Sequence, residues 1–270
     1  MPEGPECFIV ARRIGNWMIN RGIEKWSFTG GRYKAHGAPS TMEEGSDLER
    51  GERRVTRVGC KGKLIWIELD DNTYILNTLG MEGTWHRARS KHCDVEVQLC
   101  QTKEKPRRIW FRDQRHYGTL RRVTHSEWLD KLQKLGNDVL AEPGESGFLT
   151  VHEWERLCDT YKQWTFPKLL MCQTQLSGVG NYLKSEILFE SRVSPWKKIS
   201  NCTKEQLENV YAATISIPRL ALKTKLKLDC GIRGRFYKRI YMRKKVMGFN
   251  VIREKTEDNR TTHWIPSLQI

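Results

Sequence analysis

The 270-residue chain has no C-x-x-C pair among its eight cysteines, no internal repeat and no long low-complexity segment. It also has no apolar run of about 18 residues, the minimum for a spanning helix. Each absence excludes a class. Cysteines scattered at 7, 60, 93, 100, 158, 172, 202 and 230 read neither as a zinc site nor as a disulfide framework. They suit buried free thiols in a reducing compartment. The N-terminus lacks the basic-then-apolar layout of a signal peptide. The expectation is a soluble, intracellular protein with no membrane partner: nuclear in a eukaryote, cytoplasmic or nucleoid-associated otherwise. Acidic residues are in deficit, 32 Asp+Glu against 47 Lys+Arg, for a formal net charge of +15. Such an excess implies a polyanionic partner, and nucleic acid fits better than a membrane surface.

The positive charge is uneven. Residues 223–260 hold thirteen Lys/Arg against four Asp/Glu, interrupted by Phe236, Tyr237, Tyr241 and Phe249 and followed by His263 and Trp264. Charge mixed with aromatics suits a folded phosphate-binding element better than a disordered tail.

A chain of this length supports two domains. Helical spacing of Cys7, Val10, Ala11, Ile14, Trp17 and Met18 predicts a helix over 5–20, with Pro5 in its first turn. Strands are predicted near 23–34, 54–58, 63–69, 73–79, 94–101, 107–112 and 117–123, which suggests an antiparallel sandwich or barrel. Residues 126–135 look helical. Turn residues over 136–146 mark a linker between a first domain, 1–135, and a second, 147–270. The second domain reads as helices near 150–162, 166–175, 182–191 and 204–223. A hairpin near 238–245 and 249–265 follows. The fold class is α+β multidomain.

The opening Met1-Pro2-Glu3-Gly4-Pro5-Glu6 carries the sharpest chemistry. Removal of Met1 would expose the secondary amine of Pro2. An α-amine is more often neutral near pH 7 than a lysine, and a neutral secondary amine attacks an aldehyde carbon to give an iminium. A helix N-terminus just beyond it disfavours the ammonium form. Glu3 and Glu6 are candidate acids or bases. The alternative is a flexible terminus whose Pro5 merely opens a helix.

Other candidates are suggestive singly. Gly178-Val179-Gly180-Asn181 lies between two predicted helices, where bare N–H groups suit a phosphate. Asn181 either caps the second helix or binds that phosphate; a plain interhelical corner is the alternative. Lys63 opens an apolar strand, where a snorkelling surface lysine is the plain alternative. Arg115 and Tyr117 share the loop 113–118, where they would hydrogen-bond a base and stack on its neighbour. Met81, between turn glycines 80 and 83, is an exposed wedge or core.

Together these residues resemble the formamidopyrimidine-DNA glycosylase/endonuclease VIII family over nearly the whole chain. The P-E-G-P-E start, residues 62–69, 79–83, 113–118 and 135–141 occur in the family's order, and 175–195 resembles its helix–two-turns–helix motif. The C-terminus departs from the pattern of four zinc-binding cysteines, since none follows Cys230. Residues 259–264 instead resemble the zincless finger, here about 236–270, of endonuclease VIII-like enzymes. The resemblance implies an N-terminal β-sandwich bearing a catalytic helix and a helical C-terminal domain with the finger. It implies no metal and no cofactor.

It also implies a monomeric bifunctional DNA glycosylase/AP lyase acting by β,δ-elimination. Pro2 would attack C1′ and form a Schiff base, and Glu3 would handle protons at the sugar. Lys63, Asn181 and Arg260 would hold phosphates. Met81, Arg115 and Tyr117 would fill the void left by an everted nucleotide, and Glu6 would lie near the pocket. The partner would be damaged double-stranded DNA, with single-stranded or bubble DNA as a further substrate form. The short segment 224–236 favours oxidised pyrimidines and ring-opened purines over 8-oxoguanine. The alternatives are a non-catalytic damaged-DNA-binding protein of the same fold and an N-terminal-proline tautomerase; the latter needs no such charge.

Overall fold

Helix α1 spans Gly4–Met18, and Cys7, Val10, Ala11, Ile14 and Met18 form a buried stripe at helical spacing. The structure is a computed structural model that describes residues 1–39, 42, 53–102, 104–229 and 238–270. The chain divides into two units: Met1–Pro2 with Glu6–Gln133, and Glu3–Pro5 with Lys134–Ile270.

The first unit is a sandwich of two four-stranded antiparallel sheets. Strands β1 (Ile23–Phe28), β2 (Val55–Lys61), β3 (Leu64–Leu69), β4 (Tyr74–Thr78), β5 (Thr84–His86), β6 (Cys93–Leu99), β7 (Arg108–Arg112) and β8 (Thr119–Val123) form it. The sheet orders are β1-β6-β7-β5 and β2-β3-β4-β8. Trp26, Val95, Val97, Ile109 and Phe111 of one sheet share a core with Val55, Ile65, Ile67, Ile75 and Leu120 of the other. A buried polar stitch joins the sheets: Trp85 Nε1 donates to Asn77 Oδ1 at 3.0 Å, and Asn77 Nδ2 donates to the Thr119 carbonyl at 2.8 Å.

The imperfect alternation in sequence has a physical cause. On β3, Ile65, Ile67 and Leu69 face the sandwich core. Trp66, on the other face, packs with Tyr74, Val123 and Trp128, and Trp128 belongs to helix α3 (His125–Gln133). A strand covered on both sides reads as a continuous apolar run. Two local expectations are corrected. Residues 31–34 are not strand: helix α2 (Gly31–His36) starts at Gly31, whose φ of +57° turns the chain out of β1. Strand β5 was not expected, because its three residues are too few to show a period.

In the second unit, helices α4 (Val151–Thr160), α5 (Phe166–Met171), α6 (Asn181–Glu190) and α7 (Lys204–Asp229) surround an apolar core that includes Trp154, Phe166, Leu183, Ile187, Val210 and Ile217. Thr150 and Glu153 form a reciprocal capping box on α4. The segment 136–146 is not a linker. Strand β9 (Asn137–Asp138) pairs in parallel with β10 (Leu176–Ser177), and Arg219 on α7 donates to the Ala141 carbonyl and pairs with Glu142 at 3.5 Å. Loop-like composition here serves packing: a Cβ on Gly136 would lie 2.2 Å from the Gln175 carbonyl carbon.

The predicted C-terminal hairpin is two short ones. Strand β11 (Lys245–Val246) pairs with β12 (Phe249–Asn250), and β13 (Ile252–Lys255) pairs with β14 (Thr261–Trp264). Residues 238–244 form no strand; they are turns and bends. In the expected short segment 224–236, residues 224–229 close α7. The remainder, with Cys230 and Phe236, lies outside the described residues, as does Tyr237.

Candidate active site

The turns before α6 are built around Glu3. Gly178 has φ +103°, and Gln173 clamps the loop by donating to the Val179 carbonyl at 2.9 Å and accepting from the Gly178 N–H at 3.2 Å. The N-cap of α6 is Gly180, with no side-chain cap of its own. The Glu3 carboxylate, 1% exposed, takes that place. It accepts from the N–H groups of Gly180 at 2.8 Å, Tyr182 at 2.8 Å and Leu183 at 3.1 Å. These are orphan donors of a helix start, at the positive end of its dipole. A Cβ on residue 180 would lie 2.3 Å from the Glu3 Cδ, so only glycine leaves room. The Gly4 N–H adds a 2.8 Å bond to the Gly178 carbonyl. A catalytic carboxylate candidate is thereby fixed one residue beyond Pro2. Pro2 itself is half-buried and Met1 is exposed.

Helix α6 also carries the hairpin β13–β14. Asn181 donates to the Thr261 carbonyl at 2.8 Å, Ser185 Oγ accepts from the His263 N–H at 3.2 Å, and Lys184 Nζ meets Asp258 Oδ2 at 2.7 Å. Glu186 accepts the N–H groups of Arg239, Ile240 and Tyr241 at 2.9, 3.1 and 2.9 Å. Asn181 is therefore not the cap of α6: its amide holds the strand residue next to Arg260. Arg260 is exposed at the turn between the strands. Burial pushes the Lys184 ammonium down from its ordinary value; Asp258 and Glu3 pull it back up, and Arg260 lowers it. Glu3, Lys184 and Arg260 thus share one electrostatic neighbourhood within the second unit. His263, the finger's histidine, is buried beside Tyr241 with ring centroids 4.6 Å apart. Among the described residues no cluster of three or more His, Cys, Asp or Glu is placed to hold a metal.

The first unit assembles the other candidates. Lys63 lies at the β2–β3 turn, where Gly62 has φ +56°, and its carbonyl accepts from Cys7 Sγ of α1 at 3.8 Å. Lys63 and Glu6 are both half-buried. The two loops bearing Met81, Arg115 and Tyr117 pack together. Gly80 has φ +59°, and a Cβ there would lie 2.6 Å from the Tyr117 carbonyl carbon. Asp113 ties its own loop by accepting the N–H groups of Arg115 at 3.3 Å and Gly118 at 2.5 Å. The Arg115 guanidinium lies 5.8 Å from the centre of the Tyr117 ring, and Tyr117 is 58% exposed. Met81 is half-buried.

Two contributors went unrecognised in the sequence. His116, beside Asp94 at 2.7 Å, pins the Arg115–Tyr117 loop to β6. Lys184 left a legible signal: Tyr182–Phe189 are buried all round the helix, so a lysine and a glutamate among them demand polar partners.

The formamidopyrimidine-DNA glycosylase N-terminal domain model matches residues 1–120. The chain is 26% identical to formamidopyrimidine-DNA glycosylase of Arabidopsis thaliana, over 100% of this chain and 71% of the relative. It is 23% identical to endonuclease 8 of Pectobacterium atrosepticum, over 85% and 82%. Among solved structures it superposes on the Lactococcus lactis glycosylase in complex with abasic-site DNA with a TM-score of 0.80. That match has 21% identity and covers 99% of each chain. The Thermus thermophilus MutM protein gives a TM-score of 0.78 at 23% identity, over 99% and 98%. Similarity to these curated glycosylases marks an enzyme of the DNA glycosylase/AP lyase class. The chain is similar to members of the formamidopyrimidine-DNA glycosylase/endonuclease VIII family, by the domain model over residues 1–120 and by the relatives above.

Proposed function

We propose that the chain is a monomeric bifunctional glycosylase/AP lyase of base excision repair, removing oxidised pyrimidines and ring-opened purines from duplex, single-stranded or bubble DNA. The observation that carries this reading is the Glu3 carboxylate, buried on three backbone N–H groups directly after Pro2. With Met1 in place the Pro2 nitrogen is an amide and cannot act. Once Met1 is removed, its lone pair attacks C1′ and the glycosidic electron pair leaves with the base, which takes up a proton. Glu3 accepts the proton lost by the Pro2 nitrogen and returns it to O4′ as the sugar ring opens and the iminium forms. Loss of a C2′ proton then expels the 3′-phosphate, and a second elimination expels the 5′-phosphate.

Lys63, Asn181 and Arg260 hold phosphates, and Glu6 lies at the pocket's edge. Base removal requires the nucleotide to leave the stack. Met81, Arg115 and Tyr117, gathered by the Gly80 contact, fill the void. The test is a duplex with one oxidised pyrimidine and Met1-free protein. Base release with a one-nucleotide gap flanked by phosphates is expected. Tight binding with an intact strand and no released base would instead indicate a damaged-DNA-binding protein of the same fold.

A further inference from the structure

In the turn between β13 and β14, the side chains of Thr256, Glu257 and Asp258 are engaged in holding it. Thr256 donates its N–H to the Arg260 carbonyl at 3.1 Å, and its hydroxyl donates to the same oxygen at 3.2 Å. That hydroxyl also lies 2.5 Å from Asp258 Oδ1 and 2.6 Å from the Thr262 hydroxyl. Glu257 accepts from the Thr165 N–H at 2.8 Å and pairs with Lys168 at 2.8 Å, both at the start of α5. Asn259 takes the left-handed conformation, φ +58°, and donates to the Thr256 carbonyl at 2.8 Å. Arg260 alone is exposed with a long cationic side chain.

The centre of this arrangement is an ion pair without solvent. The Lys184 side chain is 0% exposed and that of Asp258 4%. A buried pair is a poor source of stability, since two apolar residues of like volume often do as well or better. Its defensible use is registry: Asp258 must face Lys184, and a one-residue slip of the turn would bury an unpaired charge on each side. We propose that Lys184, through Asp258, is a positioning residue that fixes the 256–260 turn so that Arg260 meets a DNA phosphate. This inference rests on reading Arg260 as a phosphate contact.

The test compares wild type, Asp258→Asn, and the apolar double variant Lys184→Met/Asp258→Leu, each with and without Arg260→Ala. Urea unfolding, amide exchange at Thr256 and Asn259, and binding to a duplex with a tetrahydrofuran abasic analogue across a salt series are measured. The double variant should unfold at or above the wild-type midpoint, yet exchange its Thr256 and Asn259 amides at least tenfold faster. It should bind roughly tenfold more weakly, the scale of one charge-assisted contact. Its log–log salt slope should flatten by about 0.9, the increment for one phosphate. Adding Arg260→Ala should then change little. Asp258→Asn, which keeps the side-chain shape, should show the same exchange and slope changes if the double variant folds poorly.

Unchanged exchange in both variants overturns the positioning role. So does an Arg260→Ala loss as large in the variant backgrounds as in wild type. Faster exchange with no effect of Arg260→Ala in wild type refutes the phosphate reading of Arg260, and the positioning for DNA with it, while leaving a purely structural pair.

Discussion

Glu3 joins two roles in one residue. It caps a helix 177 residues away in sequence, and it neighbours the proposed nucleophile. Glu3→Gln keeps the shape but turns one oxygen into a donor facing backbone N–H groups. The buried mismatch should cost about 1–3 kcal/mol in urea unfolding. Base excision should fall by about 10²–10⁴ while duplex binding persists, the scale of a lost acid–base group. Excision at near wild-type rate would remove Glu3 from the chemistry. His263 gives a second prediction. Burial, with Arg253, Lys184 and Lys238 nearby, lowers its pKa from 6.5 to about 4. The unfolded chain therefore binds the proton first as pH falls, so this residue's stabilising contribution is full above about 6.5 and drains away toward 4. The melting temperature of wild type should drop more steeply across that window than that of His263→Leu; parallel curves would contradict the assignment.

At the scale of elements, α6 and the β13–β14 hairpin are proposed to act as one phosphate clamp, and the 79–83 and 113–118 loops as a wedge. Arg260→Ala should weaken binding to damaged and undamaged duplex alike and flatten the salt slope by about one unit. Asn181→Ala should weaken both with little change of slope, because its amide carries no charge. Measured salt series on both duplexes decide this. Met81→Ala and Tyr117→Ala should slow excision from paired lesions more than from single strands, where less stacking is broken. Equal losses on both substrates would make them core or pocket residues. What was legible here followed periodicity and motif. The α1 stripe, β3 and the 175–195 motif were each visible locally. The cap on α6 was not, because its acceptor is Glu3, remote in sequence. Nor was the split of the finger into two hairpins, whose strands are two to four residues long.

At the scale of the molecule, the positive balance found in the composition has a place. Arg243, Lys244, Lys245, Arg253, Lys255 and Arg260 are all exposed on the C-terminal hairpins and the turns beside them. In the same region α6 supplies Asn181, Lys184, Ser185 and Glu186 as internal fasteners. Polar pins and strand pairing hold the β13–β14 hairpin among the described residues. The packing of 136–142 was not readable from the change of pattern near residue 135. Turn-rich composition marks both free linkers and tightly packed corners, and contacts such as that of Gly136 with Gln175 and the β9–β10 pairing distinguish them.

The central claim is that Pro2 becomes the covalent nucleophile. Protein freed of Met1 is incubated with abasic-site DNA and borohydride, and the trapped adduct is digested and mapped by mass spectrometry. The account predicts attachment at the Pro2 nitrogen, and no adduct when Met1 is retained. Attachment at Lys63 or another lysine, or no adduct from processed protein, would contradict it.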